Sequence, residues 1–294
     1  MASEANMTGP DWLTVREGKA PLVLGMPHTG TDIPDDIAAG MNSLWLARKD
    51  ADWWIDRLYA FASDLDATIV RTAISRSVID VNRDPAGTSL YPGMTTTALC
   101  PTETFDGERL YRPGLEPDAD EIARRRTLYF DPYHAALQSQ LARLAARGPV
   151  VLYDAHSIRS VIPRLFDGQL PLFNIGDNCG TTCDPALTRA VEKACARTNL
   201  GHVVNGRFKG GWTTRHYGRP AADHGSGTQG IHAIQMELAD RAYMVDPAGR
   251  VDERNWPSPW DPERAAPIQV HLKAILMSCL GFAHAQNDGS GADT

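Results

Sequence analysis

Residues 149–157 read Pro-Val-Val-Leu-Tyr-Asp-Ala-His-Ser. The continuous apolar run from Pro149 to Asp154 is the pattern of a central strand covered on both faces. It leads directly into Asp154-Ala155-His156-Ser157. Working outward, Pro21 to Met26 (PLVLGM) is a second short buried strand, ending at Pro27-His28-Thr29-Gly30. Ile231 to Leu238 (IHAIQMEL) is a third and carries Glu237 near its end. Ala67 to Thr72, Ser77 to Val81 and Pro171 to Ile175 add further strand-like runs. Helical spacing occurs between them: Leu44 to Leu65, Asp118 to Arg147 with a bend at Pro132, Asp184 to Asn199, and Ala265 to Leu280. Strands alternating with helices predict a single-domain α/β fold, a sheet covered by helices on both faces. The expected domain spans residues 13–284, with 1–12 and 285–294 as flexible termini.

Composition narrows the class. A formal net charge of -7 over 294 residues argues against nucleic acid as the partner, since such proteins usually present a basic face. No window approaches the ~18 to 20 apolar residues of a membrane span. The first dozen residues are acidic and polar where a signal peptide needs a basic start and an apolar run, which points to the cytoplasm. The five cysteines are odd in number and scattered, as reduced thiols are. Cys179 and Cys183 lack the second pair that would make them a metal site. Pro85 to Pro117 is rich in Gly, Pro and Thr, and a loop of this length in a compact domain is usually a lid or a binding loop.

Three of the strands finish on residues able to do metal chemistry: His28, Asp154-Ala-His156, and Glu237. In open α/β sheets ligands collect outside the carboxyl ends of the strands, so these three would meet in one cleft. A catalytic zinc commonly takes two histidines and a carboxylate, leaving one position for water. Asp50-Ala51-Asp52-Trp53-Trp54-Ile55-Asp56 offers three carboxylates. Asp52 is the preferred ligand, with Asp50, Asp56 and Asp154 as partners that orient ligand side chains. First-turn acids also favour a helix dipole, which accounts for one or two of them without any metal.

Two further runs are basic. Ser75 to Asp84 places Arg76, Asn82 and Arg83 around an apolar stretch; an arginine fork suits a carboxylate or a developing oxyanion, and equally a salt bridge to Asp80 or Asp84. Asn205 to Gly218 mixes Arg207, Lys209, Arg215 and His216 with glycines that allow close backbone approach. There is no phosphate-loop pattern, and a small dicarboxylate fits the cations better than a nucleotide. His134, His202, His224 and His232 are read as structural.

Together the motifs Pro27-His28-Thr-Gly, Asp50-Ala-Asp52-Trp, Ser75-Arg76-Ser-Val-Ile-Asp-Val-Asn82-Arg83, Leu90-Tyr-Pro-Gly, Asp154-Ala-His156-Ser-Ile-Arg159, Asn205-Gly-Arg-Phe-Lys-Gly-Gly and Gln235-Met-Glu237 resemble the N-formylglutamate deformylase family. The likeness runs in order from about residue 20 to 282. It implies a mixed-sheet fold related to zinc carboxypeptidases and aspartoacylases. The implied activity is hydrolysis of N-formyl-L-glutamate to formate and L-glutamate, the last step of one histidine-degradation route. His28 and His156 would be ligands of one zinc ion and Glu237 the general base. Asn82-Arg83 would grip a substrate carboxylate and Arg76 polarise the scissile carbonyl. Arg207, Lys209 or Arg215 would hold the second carboxylate. Two departures stand out. The carboxypeptidase spacing would put the third ligand at Thr31, which cannot serve, so Asp52 takes that place by elimination; and the loop from Ala222 to Gly230 is longer than the resemblance leads one to expect. The alternatives are an amidohydrolase for another N-acyl or N-carbamoyl amino acid and, more remotely, a carboxylate-binding protein without catalysis.

Overall fold

Seven strands form one sheet: β1 (Leu13–Arg16), β2 (Leu22–Met26), β3 (Thr68–Thr72), β4 (Val150–Ile158), β5 (Phe173–Gly176), β6 (His202–Val204) and β7 (Ile231–Ala239). This computed structural model describes residues 10–88, 93, 96–220, 230–247 and 249–289. The strand order is β1-β3-β2-β4-β7-β5-β6. β3, β2, β4 and β7 run parallel, while β1 pairs antiparallel to β3 and β5 antiparallel to β7, so the sheet is mixed. β4 is buried at all positions, as its unbroken apolar sequence requires.

The chain goes from β2 to β3 on one side, then crosses to β4 on the other. That reversal opens a crevice at the carboxyl ends of β2 and β4, where such sheets bind ligands. Alternation along the strands divides the core. Leu22, Leu24, Met26, Tyr153, Ile234 and Met236 pack on the face covered by helices α2 (Ile55–Leu58), α5 (Pro185–Ala196) and α7 (Pro262–Gly289). Val23, Val70, Leu152 and Ala233 pack on the other, under α4 (Asp131–Ala145). Each of the Val, Leu, Ile and Met side chains among them, fully buried, contributes roughly 1.5–3 kcal/mol.

Several expectations change. Leu44 to Leu65 is not one helix: it breaks into 3-10 turns at Leu46–Arg48 and Ala60–Leu65 around α2. The interruption lies at Trp54, whose φ is 63°, and follows Asp52, whose N–H donates to His28 O at 2.9 Å. That bond ties the segment to the end of β2 instead of to its own preceding turn. Ser77 to Val81 is a turn rather than a strand; Val78 N–H bonds Ser75 O, and the apolar side chains face the core from a loop. The Asp118–Arg147 helix starts as predicted with an Asp118 cap. Before Pro132, which lacks an N–H, it passes through a π-turn at Arg126–Phe130. Helix α7 runs to Gly289, well past Leu280. By length and composition it is apolar enough to cross a membrane, against the reading of the sequence windows. Its Ala265, Ile268, Leu272, Ile275, Leu276 and Cys279 lie in the core, which accounts for its apolar character. Leu90, Tyr91, Pro92, His224 and all but the last residue of the Ala222–Gly230 loop lie outside the described residues.

Candidate active site

The register puts His156 of β4 opposite Glu237 of β7. β2 ends at Met26, two residues before His28. The segment carrying Asp52 docks on that turn through the Asp52 N–H to His28 O bond. Four distant stretches of sequence therefore reach one place. The donor atoms of His28, Asp52 and His156 lie within 4.8 Å of one another, and all three residues are buried. His156 Nδ1 is 3.1 Å from Asp52 Oδ2, and His28 Nδ1 is 3.8 Å from the same oxygen. Two ligands of a tetrahedral zinc with bonds of 2.0–2.1 Å stand roughly 3.3 Å apart.

The outer faces of the rings support the same geometry. His28 Nε2 is 2.6 Å from Asp80 Oδ1, so its proton belongs on Nε2 and the Nδ1 lone pair points into the site. That Nδ1 has no hydrogen-bond partner although it is buried, an orphaned acceptor that a cation would satisfy. Burial and the Arg76 charge lower the His28 pKa against the pull of Asp80, which keeps the ring neutral as a metal ligand must be. His156 Nε2 faces Asp154 Oδ2 at 3.2 Å. Burial opposes charge on His156, yet the Asp154 and Asp52 carboxylates outweigh it and hold its pKa well above the usual histidine value. A proton at Nδ1 is favoured there by the same negative field that would favour a cation. The residues present thus fit a small divalent ion with two nitrogens and one oxygen.

Asp80 is the residue that sequence reading undervalued. It is fully buried and accepts from His28 Nε2, from Arg76 Nη2 at 2.7 Å and from the Asn82 N–H at 2.9 Å. Arg83, His28 and Arg76, in that order, hold it far below the ordinary carboxylate range despite burial. The run Ser75 to Asp84 contained this signal, but it read as a strand with an edge ion pair. The Arg76–Asp80 pair is present; it is buried at the centre of the site.

Glu237 lines the same cavity and is 7% exposed, with Gln235 Nε2 donating to it at 3.1 Å. Burial raises its pKa to about 7, partly offset by the charge of His156. A carboxylate tuned to that value is suited to take and return a proton near neutral pH. Arg76 also faces the cavity, 3.8 Å from Asp52 Oδ1, with the Phe105 ring against its guanidinium at 4.8 Å.

The cavity is about 240 Å³ and is lined by Arg83, Arg164 and Arg207 as well as Arg76. Arg83 donates to Thr97 O and Thr97 Oγ1, and Arg207 Nε to Leu165 O at 2.8 Å. Arg164 was missed in the sequence, where it sits in a loop without any motif; it donates to Thr104 O and pairs with Glu103. Lys209, Arg215 and His216 do not line the cavity. Arg215 Nε donates to Gly210 O, and His216 stacks on Trp212 with centroids 4.1 Å apart. Asn82 does face the cavity, but Thr213 N–H engages its carbonyl and its amide nitrogen is 3.0 Å from His156 Nε2. Its amide N–H donates to Asp154 Oδ2 at 3.5 Å, so it acts on the carboxylate behind the histidine rather than on the ring, whose Nε2 proton faces that same carboxylate. Gly211 permits this, since a Cβ there would fall 2.3 Å from the Asn82 amide; the glycine serves a protein side chain rather than a ligand.

The three neighbouring carboxylates divide. Asp154 stands behind His156, with its Oδ2 3.2 Å from the ring's Nε2. Asp56 instead pairs with Arg71 at 2.7 Å, partly in solvent, and orients no ligand. Asp50 turns away from the histidines to accept the Phe105 N–H at 2.6 Å and to face Arg159. Thr96 to Ala98 and Pro101 to Phe105 of the long loop line the cavity, so this loop is part of the site.

Residues 20–244 match the N-formylglutamate amidohydrolase family. An N-formylglutamate deformylase of Pseudomonas putida is 42% identical over 272 residues, covering 92% of this chain and 96% of that one. One from Pseudomonas aeruginosa is 45% identical over 238 residues, covering 80% and 86%. Among solved structures, the N-formylglutamate amidohydrolase of Ralstonia eutropha superposes with a TM-score of 0.70 at 25% identity, covering 94% of this chain and 98% of that one. With a match over most of its length and this site at its strand ends, the chain belongs to the N-formylglutamate amidohydrolase family.

Proposed function

We propose that this protein is a zinc-dependent enzyme that hydrolyses N-formyl-L-glutamate to formate and L-glutamate, the last step of a histidine-degradation route. The observation that carries the reading is Glu237, with its pKa near 7, in one cavity with His28 and His156. The names borne by the relatives support the substrate. His28 Nδ1, His156 Nδ1 and an Asp52 oxygen would hold the ion. When bound, zinc supplies Lewis acidity that makes water a better nucleophile near neutral pH and polarises a carbonyl.

The chain's own groups do the rest. Glu237 takes a proton from the attacking water and delivers it to the nitrogen as the C–N bond breaks, so that water is added across the amide. Arg76, steadied by Asp80, donates to the oxygen on which charge develops. Arg83, Arg164 and Arg207 line the cavity in which the two carboxylates of the substrate would bind. Binding both gives discrimination, because an analogue lacking one leaves a cation unmatched. The test is formate release from N-formyl-L-glutamate by purified protein, with chelator and then with zinc restored. Activity that survives complete metal removal sinks the metal assignment. Faster turnover of N-carbamoyl- or another N-acyl amino acid would reassign the substrate.

A further inference from the structure

We propose that Phe105 sets the size of the acyl group this enzyme accepts, and that a buried charge cluster around Lys49 and Arg159 fixes its ring. The inference rests on the amidohydrolase reading above. Arg76 is held at the reacting centre by Asp80 and lies 3.8 Å from Asp52, and the Phe105 ring covers its guanidinium at 4.8 Å. Phe105 is 7% exposed and lines the cavity together with His28, Arg76 and Glu237. An acyl carbon attacked there lies among those three residues, so its substituent, hydrogen in formyl and methyl in acetyl, meets the wall that Phe105 supplies.

A wall excludes a methyl group only if it cannot move, and this one is tied down. The Phe105 N–H donates to Asp50 Oδ2 at 2.6 Å. Asp106, the next residue, accepts from Lys49 at 2.5 Å and from Arg159 at 2.8 Å. Lys49 also pairs with Glu108 at 2.6 Å, and the turn is closed by Thr104 N–H to Glu108 O. Lys49 and Arg159 are 2% and 5% exposed, so loosening the turn strands buried charges. Behind the ring, Ile158, Ile162 and Leu170 form a small apolar cluster with Phe105. This half of the Pro85–Pro117 loop is therefore anchored on the segment that carries Asp52.

The test compares kcat/KM for N-formyl-L-glutamate, N-acetyl-L-glutamate and N-formyl-L-aspartate in the zinc-loaded wild type, Phe105→Ala, Phe105→Leu and Asp106→Asn. One methyl group is worth about 10- to 200-fold in discrimination, so Phe105→Ala should raise the acetyl-to-formyl ratio by at least about tenfold. Phe105→Leu, the variant safer for folding, should raise it less, and Asp106→Asn should raise it with the ring itself retained. The formylglutamate-to-formylaspartate ratio should stay as in wild type. Losing the ring over Arg76 slows both acyl substrates alike, and the ratio removes that effect. An unchanged acetyl-to-formyl ratio in folded Phe105→Leu and Phe105→Ala overturns the proposal. So does an equal change in the aspartate ratio, which would make Phe105 a wall for the amino-acid side chain. Wild-type protein inert toward every formyl substrate would overturn the underlying reading and this inference with it.

Discussion

Replacing Asp80 by asparagine keeps the shape of a side chain that touches no substrate and removes its charge. Asp80 accepts three hydrogen bonds in a fully buried position, from His28 Nε2, Arg76 Nη2 and Asn82 N. An amide presents one acceptor oxygen where the carboxylate has two, so at least one of the two side-chain donors faces an N–H. Arg76 is then left with Asp52 at 3.8 Å as its remaining strong partner. Breaking a buried ion pair from one side costs roughly 3–5 kcal/mol. For 294 residues, an unfolding entropy of about 2.1 cal/mol/K per residue turns that loss into a melting point lower by roughly 5–8 °C. His28 also loses the acceptor that fixes its tautomer, and removing such a partner typically weakens metal binding about 10- to 100-fold. The assay has two parts: thermal melting of the metal-free protein, and zinc competition against a chromophoric chelator. Asp80→Asn protein that melts with wild type and holds zinc equally well would refute the reasoning, since neither Arg76 nor His28 would then depend on the carboxylate.

Other expectations follow from the same geometry. Glu237→Gln should bind zinc as wild type does and lose turnover by about 10²- to 10⁴-fold, the usual share of a general base; near-normal kcat would remove Glu237 from the mechanism. Because Glu237 works deprotonated and its pKa is raised to about 7 in the metal-free protein, kcat/KM should show an acid limb at or below about 7, the charge of a bound zinc drawing it lower, and this limb should be missing from the residual activity of the glutamine variant. The folded-state pKa lies above the ordinary 4.5, so the contribution of this carboxyl to stability is complete below 4.5 and is lost as pH rises through about 7. The stability difference between wild type and Glu237→Gln, followed by melting from pH 4 to pH 8, reads that slope. Gly211→Ala would drive a methyl into the Asn82 amide, 2.3 Å away, and should reduce zinc affinity by displacing Asn82 from Asp154, the carboxylate behind His156; unchanged affinity would mean that Asn82 does not act on the site.

The sequence by itself carried the strands that deliver His28, His156 and Glu237, because those strands are buried on both faces and buried strands are written as unbroken apolar runs. It carried the sheet-and-helix alternation for the same reason, and Asp52 was within reach because it lay among few acids. The breaks around Trp54 and the turn at Ser75 to Asp84 were hidden. Their apolar residues face the core with helical or alternating spacing, while some of their backbone bonds go to partners far away in the chain, Asp52 N–H to His28 O and Asp80 N–H to Leu99 O. No local pattern distinguishes a hydrogen bond to the next turn from one to another strand. The same holds for the acids: Asp50, Asp56 and Asp80 look alike in sequence, and only packing sends one to Phe105, one to Arg71 and one to His28. Arg164 entered the cavity, and Lys209, Arg215 and His216 stayed out of it, because a cavity wall is assembled from loops whose approach depends on the whole fold. Local composition decided which strands are buried and what chemistry their ends bring, whereas long-range packing decided which carboxylates and arginines stand close enough to act on it.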